Sequence, residues 1–205
     1  FAETATWNAD AAAFFSKWIQ DLNDARDPET HAYPVLAPDP CRGYARRTAS
    51  AGWSDAGIIC PWELWRKYGD RRICEQTFDN ILRYLDSVIA STEGTGIAKA
   101  TIGDHLNLDA ATSAPLIATA YLAGMASLAA RMGRLVGRDA EAARLEHAAA
   151  QTRAAFQARF FTVAGELTER TQTAACLAVH FDLCPVSARS WLAAITTPGI
   201  ESSCD

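Results

Sequence analysis

Apolar residues recur along most of this chain with the spacing of an α-helix, and no segment shows sustained period-two alternation. Residues three and four apart lie on one side of a helix, so each such stripe must find another helix to bury against. The first stripe is Phe15, Trp18, Ile19 and Leu22, which predicts a helix over residues 5–23. A proline-bearing stretch over residues 27–50 follows, with Pro28, Pro34, Pro38 and Pro40 each lacking a backbone donor. Its length and its aromatics, Tyr33, Tyr44 and the nearby Trp53, mark it as a functional loop.

Ser54 or Asp55 can cap a second helix through Ile58, Ile59, Trp62, Trp65 and Tyr68; Pro61 should disturb its first turns and Gly69 should end it. A third carries Phe78, Ile81, Leu82, Leu85, Val88 and Ile89 and stops before a Ser/Gly cluster over residues 91–96. Pro115 fits the first turn of an Ala-rich helix through Leu122, Leu128, Met132 and Leu135, closed by Gly137. Asp139 starts the next, to about residue 160; residues 161–167 suggest a short hairpin, and residues 172–181 a last helix. Helices joined by loops of unequal length predict an all-α fold of helical hairpins. Without a fixed repeat, a toroid of paired helices fits better than a tetratricopeptide array.

Charge and cysteine content narrow the function. Nineteen Lys plus Arg against 24 Asp plus Glu leave a net charge of −5, which gives no broad cationic field for phosphate backbones, so nucleic acid is excluded as an expected partner. No run approaches the ~18 uninterrupted apolar residues of a membrane span, and residues 1–30 carry eight charged side chains, so neither a membrane association nor a signal peptide is expected. The compartment stays open between cytoplasm and secretion. The six cysteines, Cys41, Cys60, Cys74, Cys176, Cys184 and Cys204, are scattered without a Cys-x-x-Cys pair and read as reduced thiols. Walker, dinucleotide-binding, serine-elbow and zincin motifs are all missing, and no cofactor or metal is expected. Cys176, His180 and Cys184 recur every four residues, yet helical rise separates the outer pair by ~12 Å, so they read as one helix face.

The densest cluster of aromatic and acidic residues runs over residues 52–65, Gly-Trp-Ser-Asp-Ala-Gly-Ile-Ile-Cys-Pro-Trp-Glu-Leu-Trp. An indole can stack on the apolar face of a sugar ring while a carboxylate accepts from its hydroxyls, which makes Trp53 and Asp55 candidate carbohydrate contacts. The plainer alternative makes Asp55 only an N-cap, with Trp62 and Trp65 in the core. A second polar loop, residues 101–109, holds Asp104, His105 and Asp109, and reads either as part of a site or as a solvated turn.

Residues 52–70 resemble the bacterial α-L-rhamnosidases of glycoside hydrolase family 78. Thr4-Ala5-Thr6-Trp7-Asn8-Ala9-Asp10 through Phe14-Phe15-Ser16-Lys17-Trp18, Gly103-Asp104-His105-Leu106 and Thr171-Gln172-Thr173-Ala174 resemble further landmarks of the family in order and spacing. The resemblance spans residues 2–185 and implies part of an (α/α)6 barrel that removes terminal α-L-rhamnosyl groups from glycosides or oligosaccharides with inversion. It places the general acid in a Glu-Arg-x-Gly-Trp-x-Gly-Asp segment upstream of Phe1 and the general base beyond Pro185, so no residue here inherits a catalytic role. Trp53 matches a substrate-contacting tryptophan of the family, Asp55 accompanies it, and Asp104 and His105 occupy its Gly-Asp-Trp-Leu loop, with His105 where the family usually has Trp. Residues 186–205 show no family pattern and form a tail of uncertain origin. Two alternatives remain: another (α/α)6 carbohydrate-active enzyme, or a non-catalytic helical carbohydrate-binding or interaction domain.

Overall fold

Which helix faces are apolar decides how the helices stack. The structure, a computed structural model, describes residues 1–38, 49–99, 101–107 and 110–188. Among them are seven α-helices, α1 (Ala2–Asn8), α2 (Ala12–Asp24), α3 (Ala56–Tyr68), α4 (Arg71–Ala90), α5 (Ala114–Leu135), α6 (Asp139–Phe160) and α7 (Gln172–His180), and a single 3-10 turn, Val186–Ala188. The only β pairing among the described residues is one bridge between Phe161 and Leu167, which is all that forms of the expected hairpin.

α1, α3, α5 and α7 touch in that order and make one layer, while α2 packs on α3, α4 on α3 and α5, and α6 on α5. The result is a two-layered run of antiparallel helix pairs, part of a helical toroid, as the apolar spacing predicts. The larger core joins Phe15, Ile19 and Leu22 of α2 to Ile58, Trp62 and Leu64 of α3, Phe78, Ile81 and Leu85 of α4, and Met125 and Met132 of α5. A second core gathers Leu116, Phe156, Phe160, Phe161, Leu167 and Leu183 around the α5–α6–α7 corner. The outer helices are linked by polar contacts: Arg26 donates to Asn80 at 2.7 Å, Arg138 pairs with Asp79 at 3.0 Å, and Arg144 pairs with Asp86.

The caps follow ordinary chemistry. Ser113 accepts from the Leu116 amide and Thr171 from the Ala174 amide, Pro115 sits in the first turn of α5, and Gly69 ends α3 in the left-handed conformation. α5 is long and apolar enough to cross a membrane by length and composition, a property that uninterrupted apolar runs do not reveal. It is the central core helix, packed by α3, α4, α6 and α7.

The helix expected over residues 5–23 is two helices. Ala9 is extended, the Ala11 amide donates to the Tyr68 hydroxyl at 2.9 Å, and the Asp10 carboxylate accepts from the Ala12 amide. The break lets α1 lie in the inner layer while α2 turns outward. Pro61, expected to disturb the start of α3, lies inside a continuous helix. In the proline-bearing stretch Tyr33 is buried, whereas Pro40, Cys41 and Tyr44 lie outside the described residues. Cys204, Leu108, Asp109 and residues 189–205 also lie outside them; of the tail, Ala188 is buried in the second core. Cys60, Cys74, Cys176 and Cys184 are free thiols, and burial pushes Cys60 and Cys74 up to about 12.

Candidate functional site

The segments that lead into α3, α5 and α7 meet at one end of the inner layer. Thr101 donates its hydroxyl to the Ala51 carbonyl at 3.1 Å, and the Ile102 amide donates to the Ser50 hydroxyl at 2.9 Å. The Thr112 and Thr171 hydroxyls lie 2.5 Å apart, and Glu169 accepts from both the amide and the hydroxyl of Ser113. These bonds cross 50 to 59 residues of sequence and fix the three loops as one surface.

The turn before α3 is built from the inside. The Ser54 hydroxyl accepts from the Ser50 amide at 3.0 Å and donates to the Tyr33 carbonyl at 2.7 Å, which anchors the turn to the proline-bearing segment. Gly52 has φ +86°, a conformation that favours glycine, and its amide donates to the Asp55 carboxylate at 2.8 Å. That geometry swings Trp53 outward, half-buried, while Trp62 sits in the core and Trp65 is half-buried against it. Trp62 and Trp65 stack at 4.7 Å between ring centres, and the Arg131 guanidinium covers Trp62 at 4.5 Å.

Across from Trp53 stands His105, its ring 6.0 Å away and edge-on at 81°. His105 is exposed on a loop bent at Gly103 and Leu106, both with positive φ. Asp104, beside it, turns inward. It accepts from the Thr112 amide at 2.9 Å, the Asn107 side-chain amide at 2.9 Å and the Thr173 hydroxyl at 3.4 Å. The Thr112 amide is the main reason its carboxyl lies below the usual range. Asp104 thus joins this loop to the starts of α5 and α7.

Asp55 occupies the N-cap position of α3 but does not cap it. Its carboxylate reaches back to Gly52 and accepts from the Tyr84 hydroxyl of α4 at 3.2 Å. At 3% exposure it is almost closed off from solvent, and burial raises its pKa to about 6 against the opposing pull of these two donors. The structure therefore brings Trp53 and His105 together at the surface, with Asp55 as a buried tie and Asp104 as a partly exposed one. Tyr84, Ser50, Thr112 and Glu169 were missed by sequence reasoning, whereas Tyr33 was singled out as part of a functional loop. Only Tyr84 carried a signal, as a hydroxyl-bearing ring on the apolar face of α4 that needs a partner once buried.

Paired helices stacked in two layers as part of a toroid are the fold of six-hairpin glycosidases. The family model described as the bacterial alpha-L-rhamnosidase six-hairpin glycosidase domain matches residues 1–198, and the chain belongs to that family. An α-L-rhamnosidase of Streptomyces avermitilis is 34% identical over 196 residues, covering 92% of this chain and 18% of the relative. Among solved structures, the S. avermitilis α-L-rhamnosidase complexed with L-rhamnose superposes with a TM-score of 0.86 at 32% identity, over 95% of this chain and 19% of that one. An Aspergillus terreus α-L-rhamnosidase shares the fold, with a TM-score of 0.78 at 24% identity over 90% of this chain and 23% of that one. The chain thus spans about a fifth of the length of the relatives it matches.

Proposed function

We propose that this chain is a segment of the catalytic domain of an inverting α-L-rhamnosidase, in which Trp53 and His105 form part of the wall that receives a terminal α-L-rhamnosyl group. The observation that carries this reading is the edge-on Trp53–His105 pair at the end of the inner layer where the loops before α3, α5 and α7 converge. The indole offers an apolar face for the sugar ring, and the imidazole offers nitrogens for its hydroxyls. Asp104 shapes the loop that presents His105. Inversion needs two carboxyl groups about 6.5 to 9.5 Å apart, one protonating the leaving oxygen and one activating water. The resemblance assigns both to glutamates outside this chain, the acid upstream of Phe1 and the base beyond Pro185. These proton transfers require no cofactor.

The test is hydrolysis of an aryl α-L-rhamnoside. The isolated 205-residue chain should give no turnover above a buffer blank. In the full-length protein that carries this segment turnover should appear, and Trp53→Ala should raise KM about fivefold, the equivalent of ~1 kcal/mol of stacking. Turnover by the isolated chain that survives repurification would overturn the placement of acid and base. An unchanged KM in Trp53→Ala would remove Trp53 from the wall.

A further inference from the structure

We infer that Asp55 is a positioning residue, whose buried carboxylate holds the Trp53 turn in register by accepting the Gly52 amide on one oxygen and the Tyr84 hydroxyl on the other. Its link to sugar recognition rests on the function proposed above; its effect on the turn does not.

Three features of the geometry carry the inference. The first is that Asp55 is only 3% exposed and both of its oxygens are already engaged by internal donors, the Gly52 amide and the Tyr84 hydroxyl. The second is its choice of partners. An aspartate at an N-cap ordinarily accepts from the amides of its own helix, but this one accepts from Gly52, the residue immediately before Trp53, and so closes the turn in the opposite direction. Gly52 has a positive φ, and the peptide leading into Trp53 is held in that conformation by the Asp55 acceptor. The third is rigidity behind the carboxylate. Tyr84 is 3% exposed and packs edge-on against Tyr33 at 5.3 Å, and the Tyr33 carbonyl accepts the Ser54 hydroxyl of the same turn. The turn is therefore tied twice, to α4 through Asp55 and Tyr84 and to the proline-bearing segment through Ser54 and the Tyr33 carbonyl.

A hydrogen bond to a carboxylate is about twice as strong as one to a neutral carboxylic acid, so the hold on Gly52 depends on the charge of Asp55. Burial raises that group to about 6, which places the change of charge in an accessible pH range. Among the described residues, the titratable groups facing it are tyrosines: Tyr84 from α4, Tyr121 from α5, and Tyr33 one ring further on, with the Arg26 guanidinium beyond it at 5.9 Å. All three tyrosines are raised by burial and stay neutral through this range, so the charge of Asp55 changes without a compensating partner.

The experiment is amide and aromatic NMR of the chain between pH 5 and 8, with no sugar present. In the native sequence the Gly52 amide proton should shift upfield as pH falls, with a midpoint near 6, and the Trp53–His105 nuclear Overhauser contacts should weaken across the same window. In Asp55→Asn, a neutral side chain that still offers an acceptor, the Gly52 shift should lose its pH dependence and the Trp53–His105 contacts should stay at their weakened, low-pH level throughout. Histidines as a class change charge between pH 5 and 8, so His105→Asn serves as the control and should leave the Gly52 midpoint in place. Tyr84→Phe removes one donor to the carboxylate and should move the midpoint upward. A Gly52 titration that survives in Asp55→Asn, or vanishes in His105→Asn, would overturn the inference. Addition of L-rhamnose tests the other reading separately: if the Asp55 results hold while Trp53 resonances ignore the sugar, the positioning role stands and the sugar wall falls.

Discussion

Gly57→Ala sets helix propensity against packing, and the structure decides the winner. Gly57 lies in the first turn of α3, where alanine would ordinarily be the better helix former by ~1 kcal/mol. An added Cβ, however, would lie 2.5 Å from Tyr33 Cζ and 2.6 Å from both Cε atoms, against a comfortable carbon–carbon separation of about 3.5 to 4.0 Å. The ring must retreat by about 1 Å. It has little room, being 1% exposed, edge-on to Tyr84 at 5.3 Å and covered by Arg26. Overpacking of this kind costs about 1 to 3 kcal/mol or more, and a clash with a fixed ring belongs at the upper end, so the expected net loss is about 2 kcal/mol. For a chain of this length that is a fall in melting temperature of about 4 to 8 °C. Urea unfolding followed by circular dichroism, at one protein concentration, measures it directly. The sharper test is the sign in a second background. Tyr33→Leu removes Cζ and both Cε atoms, so Gly57→Ala made on top of it should become neutral or stabilising by up to ~1 kcal/mol. The reasoning fails if Gly57→Ala stabilises the native sequence, or if it costs as much in the Tyr33→Leu background as in the native one.

Three further outcomes follow from named contacts. Trp62→Ala should cost about 3 to 5 kcal/mol through loss of a core ring, while Trp53→Ala should cost less than about 1 kcal/mol and Trp65→Ala an intermediate amount, all read by denaturant unfolding. Asp55 is raised in the folded state from 3.8 to about 6, so the folded chain holds its proton more tightly than the unfolded one. Its contribution to stability is full below about pH 4 and is lost as pH rises through about 6; relative to Asp55→Asn, the native sequence should lose about 3 kcal/mol across that window, and a pH-independent difference would refute the burial argument. Iodoacetamide at pH 8, read by peptide mass, should label the exposed Cys176 quickly and leave Cys60 and Cys74 protected until unfolding, because burial hides both thiols and holds them protonated.

What the sequence reveals here depends on the range of the interaction. The faces of α4 and α5 are legible because periodicity is local: Phe78, Ile81, Leu82 and Leu85 are spaced as a buried stripe and are buried. The Pro115 start and the Gly69 end are equally local. The break between α1 and α2 is not, because it depends on the Tyr68 hydroxyl capturing the Ala11 amide across 57 residues. Trp53 and His105 were singled out separately, by residue type and by resemblance, but nothing in their spacing predicts that their rings meet. Asp55 is the instructive case. Its position suggested either a cap or a sugar contact, and the choice between those and a third role turned on Tyr84, which stands 29 residues away on a helix whose facing could not be fixed without the fold.

The buried charge at Asp55 has a physical justification that stability alone does not provide. Above pH 6 an ionised carboxylate at this depth lowers the stability of the fold, and a neutral side chain of the same shape would remove that cost. A neutral acceptor would also hold Gly52 more weakly, and Gly52 is the hinge on which the direction of Trp53 depends. A tryptophan that is to stack on a sugar must be held within a fraction of an ångström and a few degrees before the ligand arrives, since ordering it afterwards would consume the ~1 kcal/mol that stacking supplies. The turn thus gives up stability to fix a surface side chain, and the stability lost should reappear as affinity. The two quantities can be compared in one variant: Asp55→Asn should raise the melting temperature at pH 8 while weakening rhamnose binding by the full-length protein. If it raises both, the charge serves neither purpose, and the Trp53 turn is held by the Ser54–Tyr33 tie alone.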